Sequence, residues 1–305
     1  AWRLSGCRQS AQRSASPEGE ATEPSGFARG FGRRTARAFM EFRMNLTRIS
    51  GIILRHLAVY RSNLARLNEI LLWPFFELLL WGFFGQYVGR LSALGNVVAM
   101  LLGALLLWTI FSRVQQSISV SFLMELWSRN IMNVFVSPIS ISEYLTGLMV
   151  VGLLKVAFVT ALMTAIAGLF YSVNLLAIGL PLVPLAVALI LFAWAIGTFI
   201  TGIVLRFGQG AESIAWMFAF FLQPFGAVFF PLSIYPEWLQ RILWWIPLPH
   251  IFEALRSLFA GHGLPAAHVL WAFALNVPYL IAAFLFFGYM FEKAREKGFL
   301  LKLQE

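Results

Sequence analysis

Six stretches of this chain, roughly residues 70 to 89, 94 to 114, 145 to 171, 177 to 205, 211 to 235 and 267 to 291, are continuous apolar runs separated by polar or Pro/Gly-containing breaks. A hydrocarbon layer about 30 Å thick is crossed by about 20 apolar residues in a helix, and each run has that length. Backbone N–H and C=O groups in lipid find no water, so a continuous apolar run satisfies them internally as an α-helix. A membrane β-barrel would instead show alternating segments of about 10 residues. The expected fold is therefore an all-α membrane protein with six transmembrane helices. Composition agrees, since 59% of the 305 residues are hydrophobic and only 12% are charged, against about 25% charged in ordinary soluble domains.

The net charge of +9 could suggest a nucleic-acid partner, but twelve of the 23 Lys and Arg residues precede Asn68. Such clustering reads as membrane topology and not as DNA binding. With the N-terminus inside, nineteen basic residues fall on the inner side and only Arg90, Arg241 and Arg256 on the outer side, with Lys155 inside a span. The positive-inside bias thus predicts that both termini are cytoplasmic. The lone cysteine, Cys7, excludes a disulfide framework and a Cys-based metal site.

Four pieces do not span. Residues 1–37, rich in Ser, Gly, Glu, Ala and Arg, are expected to be a disordered tail, and no apolar run fit for a secretory signal occurs before Ile70. Over residues 38–66, Leu46, Ile49, Ile53, Leu57 and Tyr60 recur at helical spacing with Arg48, Arg55 and Arg61 off that stripe, which predicts a basic amphipathic helix on the inner membrane surface. The segment 121–147 is too polar to span, yet it carries Leu126, Trp127, Ile131, Met132 and Phe135 to bury against a protein partner. A short helix ending near Pro138, then Ser140 as a cap with Glu143 three residues on, fits its signals.

The fourth piece, FFPLSIYPEWLQRILWWIPLPHIFEALR from Phe229 to Arg256, holds four prolines, two acids and two arginines in greasy surroundings. Pro231 and Pro236 interrupt the fifth run, and Pro247 with Pro249 ends a second short segment, so neither part crosses alone. Between them a helix from Glu237 to Ile246 would align Glu237, Gln240, Arg241 and Trp244 on one arc of about 100°. A re-entrant helical hairpin over residues 224–256 in the outer leaflet is expected, with Trp238, Trp244 and Trp245 also suited to an interfacial aromatic belt. Ionisable groups inside spans are costly and suggest function. Glu77 sits midway along the first span, where it pairs with Lys155, lines a polar path or packs in its neutral protonated form, and Lys155 can otherwise snorkel inward. Glu253, Arg256 and His250 are expected to form a local network at the outer mouth. Intramembrane-enzyme signatures such as His-Glu-x-x-His and Gly-x-Ser-x-Gly do not occur.

The order of these parts resembles the membrane subunit of an ATP-binding-cassette exporter of the type-2 permease family, which moves drugs, polysaccharides and nodulation factors. Pro231, Pro236, Trp238, Leu239, Pro247, Leu248, Glu253 and Arg256 match that family's signature near the fifth span, while Ile246 replaces the usual Asn before Pro247 and the turn ends in Pro249 and His250. VFVSPISISEYLTG, residues 134–147, resembles its cytoplasmic coupling segment, and the basic helix before Ile70 its interface helix. The resemblance covers about residues 40 to 300. It implies a six-span permease domain over residues 67–305, paired with a second permease subunit, most simply as a homodimer in a bacterial inner membrane. A separate cytosolic ATPase would supply ATP and Mg, because this chain has no Gly-x-x-x-x-Gly-Lys-Ser/Thr phosphate loop, binds no cofactor of its own and is not itself an enzyme. The resemblance assigns ATPase coupling to Glu125, Trp127, Ile131, Phe135, Pro138, Glu143 and Tyr144, and gating to Pro231, Pro236, Glu237, Trp238, Arg241, Trp244, Pro247, Glu253 and Arg256. The implied cargo is a lipid-linked glycan, polysaccharide, drug or lipid. The alternative class is an ion-coupled secondary transporter, although no repeated halves are visible.

Overall fold

A computed structural model describes residues 45–62, 64–91, 97–130, 133–134, 137–173 and 179–296, so expectations placed on residues 1–44, Ile131, Met132 and Phe135 lie outside it. Nine α-helices make up the described chain, with no strand among the described residues. They are α1 (Leu46–Ser62), α2 (Leu64–Leu91), α3 (Val97–Trp127), α4 (Ile141–Tyr171), α5 (Leu182–Phe207), α6 (Glu212–Phe225), α7 (Glu237–Leu243), α8 (Pro247–Phe259) and α9 (Ala266–Glu296). Five contain stretches long and apolar enough to cross a membrane: Leu71–Leu91, Val97–Trp127, Ile141–Tyr171, Leu182–Phe207 and Ala266–Ala294.

The expected fifth span, 211–235, is instead the 14-residue α6, a turn, and a short 3-10 segment at Leu232–Ile234. At about 1.5 Å per residue α6 reaches about 21 Å, short of the hydrocarbon thickness by itself. Pro224 lies in its last turn, and Pro231 and Pro236 prevent the backbone from resuming the same helix.

At the centre of the bundle α5 packs chiefly against α9 and α3. Trp108 and Phe111 of α3 pack together, Phe111 stacks on Phe192 of α5 with ring centroids 5.7 Å apart, and Phe192 meets Tyr279 of α9 edge-on at 5.3 Å. Small residues permit this closeness, as in other membrane bundles where helix backbones approach over glycine. A Cβ on Gly197 would stand 3.0 Å from the Gln115 carbonyl oxygen, and one on Gly152 3.0 Å from Ser117 Cβ. Asn276 donates from Nδ2 to the Ala188 carbonyl at 2.8 Å, adding a side-chain hydrogen bond between α9 and α5.

Two helices depart from the sequence expectation. The second span was expected to end near residue 114, yet α3 runs on to Trp127, and most of its polar continuation SRVQQSISVS is buried. Hydropathy ends the run there because it presumes lipid as the neighbour, whereas these hydroxyls and amides face other helices. In α1 the docked face is also rotated: Leu46 is 80% and Leu57 39% exposed, while Ile49, Ile52 and His56 are buried. Gly147 decides this rotation, because the space left by its missing Cβ is filled by Ile52, whose Cγ2 would lie 2.7 Å from a Cβ there.

Candidate functional site

Three groups of polar side chains stand out, one at each end of the bundle and one between. At the first end, two buried carboxylates strap α1 to the segment that joins α3 and α4. Glu143, 1% exposed, begins α4 in a reciprocal capping box: the Ser140 hydroxyl accepts from Glu143 N–H at 3.2 Å, and Glu143 Oε2 accepts from Ser140 N–H at 2.8 Å. Its other oxygen accepts from Asn45 N–H at 2.9 Å, just before α1, and Arg48 approaches to 3.6 Å. Glu125, in the last turn of α3, accepts from Arg55 Nη2 at 2.5 and 2.6 Å on its two oxygens and from Asn130 Nδ2 at 2.7 Å, with His56 Nε2 at 3.8 Å. One carboxylate therefore holds the start of α1 and the other its middle.

Around this strap Tyr144 is buried, Pro138 is exposed, and Trp127 is 41% exposed at the tip of α3. A cleft of about 410 Å³ opens between α1 and the connecting segment, lined by Arg48, Arg55, Asn133, Val134 and Ile139 among others. The capping box was legible in the sequence. The partners Asn45, Arg55 and His56 were not, because ties across about 70 to 100 residues leave no local pattern.

Midway along the bundle the expected Glu77–Lys155 pair is not formed. Trp73 Nε1, one turn back on α2, donates to Glu77 Oε1 at 2.9 Å, and the charge nearby is Arg113 of α3. Lys155 reaches Tyr60 of α1, donating to its hydroxyl at 2.5 Å with Nζ 4.0 Å from the ring centroid. Glu77 and Arg113 share a slot of about 620 Å³ formed by α2, α3 and α6, whose walls include Trp73, Phe76, Trp108, Trp216 and Phe220. Sequence reading missed Arg113 as a site residue. The signal for it was a Ser-Arg pair directly after fifteen nearly all apolar residues of α3.

At the opposite end, α7 and α8 fold against loop 226–236 and α9. Glu253 of α8 accepts from Leu232 N–H at 2.6 Å and from Arg256 Nη2 at 3.0 Å, while Arg256 Nη1 donates to the Val228 carbonyl at 3.4 Å. Burial works against the Glu253 carboxylate, but the Arg256 and Leu232 hydrogen bonds outweigh it and hold its pKa below the ordinary range. His250 leaves that network. Its Nε2 lies 2.8 Å from the Trp244 carbonyl, which only accepts, so Nε2 carries the proton and Nδ1 accepts from His268 Nδ1 at 3.1 Å. Burial pushes the His250 pKa down.

Within α7, Glu237 and Arg241 face each other at 3.9 Å with both side chains exposed. Trp238 and Trp245 are exposed, and Trp244 packs edge-on to His250 with centroids 4.6 Å apart. Pro231 caps the 3-10 turn, Pro236 precedes α7, and Pro247 occupies the first position of α8, where its missing N–H costs nothing. Gln240 donates to the Tyr235 carbonyl at 2.7 Å, and Tyr279 of α9 donates to the Trp245 carbonyl at 3.2 Å. Two carbonyls of the broken region, those of Tyr235 and Trp245, thus find side-chain donors.

Five long apolar helices among the described residues, packed around a slot walled mainly by aromatic side chains, define a multi-pass α-helical membrane protein. A model of the ABC-2 type transporter family matches residues 57–260, from the second half of α1 through α8. The chain belongs to the ABC-2 type transporter family, whose membrane domain is a transport permease subunit and not itself catalytic. No curated protein matches it in a search by sequence.

Proposed function

We propose that this chain is the permease subunit of an ATP-driven exporter, working beside a second permease subunit and a separate cytosolic ATP-binding-cassette ATPase in a bacterial cytoplasmic membrane. Both termini lie in the cytoplasm, so the α1 end faces the ATPase and α7–α8 form a re-entrant outer hairpin. The crossings are six, with α6 and the turns after it completing the fifth. The observation that carries the reading is the double strap at the α1 end. Because Glu143 and Glu125 tie α1 to both flanks of the connecting segment, a push on that segment is delivered to α1, α3 and α4 together, a rigid-body movement of packed elements. Trp127, exposed at the tip of α3, is the anchor for the ATPase, as buried aromatic side chains are at other interfaces. The substrate passes along the slot between α2, α3 and α6, and the outer hairpin gates it through Trp244 and the Glu253–Arg256 pair.

The test is to isolate the chain from its own cell in mild detergent and identify what accompanies it. A stoichiometric ATP-binding-cassette protein, lost on Trp127→Glu while membrane insertion is unchanged, is the expected result. Unaltered co-purification of that variant removes the anchoring role. A chain that comes away alone even under nucleotide-trapping conditions favours an ion-coupled carrier.

A further inference from the structure

Two histidines from different helices meet beside the outer hairpin. His250, near the start of α8, is 1% exposed, and His268, in the first turn of α9, is partly exposed. Their Nδ1 atoms stand 3.1 Å apart and their ring centroids 5.3 Å apart. Because His250 Nε2 donates to the Trp244 carbonyl, its Nδ1 turns a lone pair toward His268. Aromatic side chains wall the pair. Trp244 lies edge-on to both rings, at 4.6 Å from His250 and 6.0 Å from His268, and Trp271 stacks on His250 at 6.4 Å.

We propose that His250 and His268 form a binding site for a transition-metal ion of the Zn²⁺ or Cu²⁺ class, held between their two Nδ1 atoms. Two imidazoles on one tetrahedral ion, with metal–nitrogen bonds of about 2.0–2.1 Å, have their nitrogens roughly 3.3 Å and their ring centres roughly 5.2 Å apart. The pair stands within a few tenths of an ångström of both values, so the rings need only turn slightly in place to admit the ion. The Trp244 carbonyl supplies what a ligating histidine ordinarily has on its far nitrogen, an acceptor that fixes tautomer and ring orientation. His268 gives up the Nδ1 proton that it donates in the metal-free pair and, as a neutral imidazole, carries its proton on Nε2 instead. Imidazole nitrogen suits Zn²⁺, Cu²⁺ and Ni²⁺, whereas Mg²⁺ and Ca²⁺ take oxygen ligands. No group of three His, Cys, Asp or Glu ligands forms among the described residues, so water completes the coordination. The bound ion joins α8 to α9. Under the permease reading it restrains the outer hairpin against the last span, but the binding itself does not rest on that reading.

The experiment uses the full chain, purified without a polyhistidine tag and held in phosphatidylcholine nanodiscs, titrated calorimetrically at pH 7.5 with zinc chloride and with magnesium chloride. One Zn²⁺ per chain with micromolar affinity is expected, and no Mg²⁺. His268→Gln weakens Zn²⁺ binding at least tenfold, while His262→Gln, in the neighbouring loop, leaves it unchanged. With Cu²⁺ in place of Zn²⁺, electron paramagnetic resonance shows coupling to two imidazole nitrogens in the parent chain and to one in His268→Gln. His268 is the variant of choice because it is partly exposed, and His250→Ala adds to it only if that chain folds. Zn²⁺ at ten times its dissociation constant also slows proteolysis of residues 228–260 about tenfold, since only the closed hairpin holds both ligands; His268→Gln abolishes this protection. Absence of Zn²⁺ binding, binding that His268→Gln leaves intact, equal affinity for Mg²⁺, or a Cu²⁺ signal from a single imidazole each overturns the site and leaves the pair as a plain hydrogen bond between α8 and α9. No ATPase enters these measurements, so their failure leaves the co-purification result standing, and the reverse holds too.

Discussion

Replacing Glu143 with alanine removes an acceptor that serves two helices at once, and the loss divides into two parts. The bond from Asn45 N–H at 2.9 Å is the part that docks α1. A hydrogen bond to a charged group contributes about 1.5–3 kcal/mol net, and the lower figure applies because Asn45 is exposed and water takes over its N–H. The Arg48 contact at 3.6 Å, with that side chain 41% exposed, adds a few tenths of a kcal/mol. The docking of α1 therefore loses about 2 kcal/mol, roughly 30-fold in its opening equilibrium. The bond from Ser140 N–H, lost as well, weakens the first turn of α4 by about 1 kcal/mol. Hydrogen–deuterium exchange read by mass spectrometry measures both: protection of residues 45–60 falls about 30-fold, while residues 182–207 of α5 exchange as before. Glu143→Gln keeps the shape and one good acceptor and falls between. Unchanged protection of residues 45–60 in Glu143→Ala would refute the Glu143 half of the strap, leaving α1 held by the Arg55–Glu125 pair and by its buried Ile49, Ile52 and His56.

Gly147→Ala places a methyl 2.7 Å from Ile52 Cγ2 and should lower stability by about 1–3 kcal/mol through overpacking. Adding Ile52→Ala should recover part of that loss in a thermal-melting cycle, and a single variant that melts like the parent would show that α1 does not depend on this contact. The hairpin responds to acid in a direction the structure fixes. Glu253 and His250 have folded pKa values below their ordinary 4.5 and 6.5, so the folded hairpin binds fewer protons than the unfolded chain. Its stability is present at neutral pH and is lost as pH falls through those values. Limited proteolysis of residues 228–260 should therefore speed up from pH 7.5 to pH 4, with Glu253→Gln flattening the lower part of the profile; resistance that grows on acidification contradicts the assignment.

What the sequence determined by itself is set by local rules. Apolar runs in a medium without water must be helices, so the all-α membrane class followed from hydropathy, and four of the six expected spans coincide with crossing helices to within a few residues or the length of an end turn. The capping box of α4 was equally legible, because Ser140 and Glu143 are three residues apart. The proline breaks likewise separated α7 and α8 from α6.

Tertiary structure decided whatever depends on which neighbour a side chain meets. Hydropathy could not see that α3 continues to Trp127, since Gln115, Ser117 and Ser121 count as polar in lipid and are buried here against other helices. The stripe of α1 was turned by a glycine about 95 residues away that accommodates Ile52. The choice of Tyr60 and not Glu77 as the partner of Lys155 depended on packing that brings α1 over α4. The meeting of Arg113 and Lys155 at one small cavity likewise arises only when α3 and α4 are laid side by side. Periodicity reports a residue's position on its own helix; the energy of a charge or a polar group inside a membrane depends on the facing helix, which only the fold supplies.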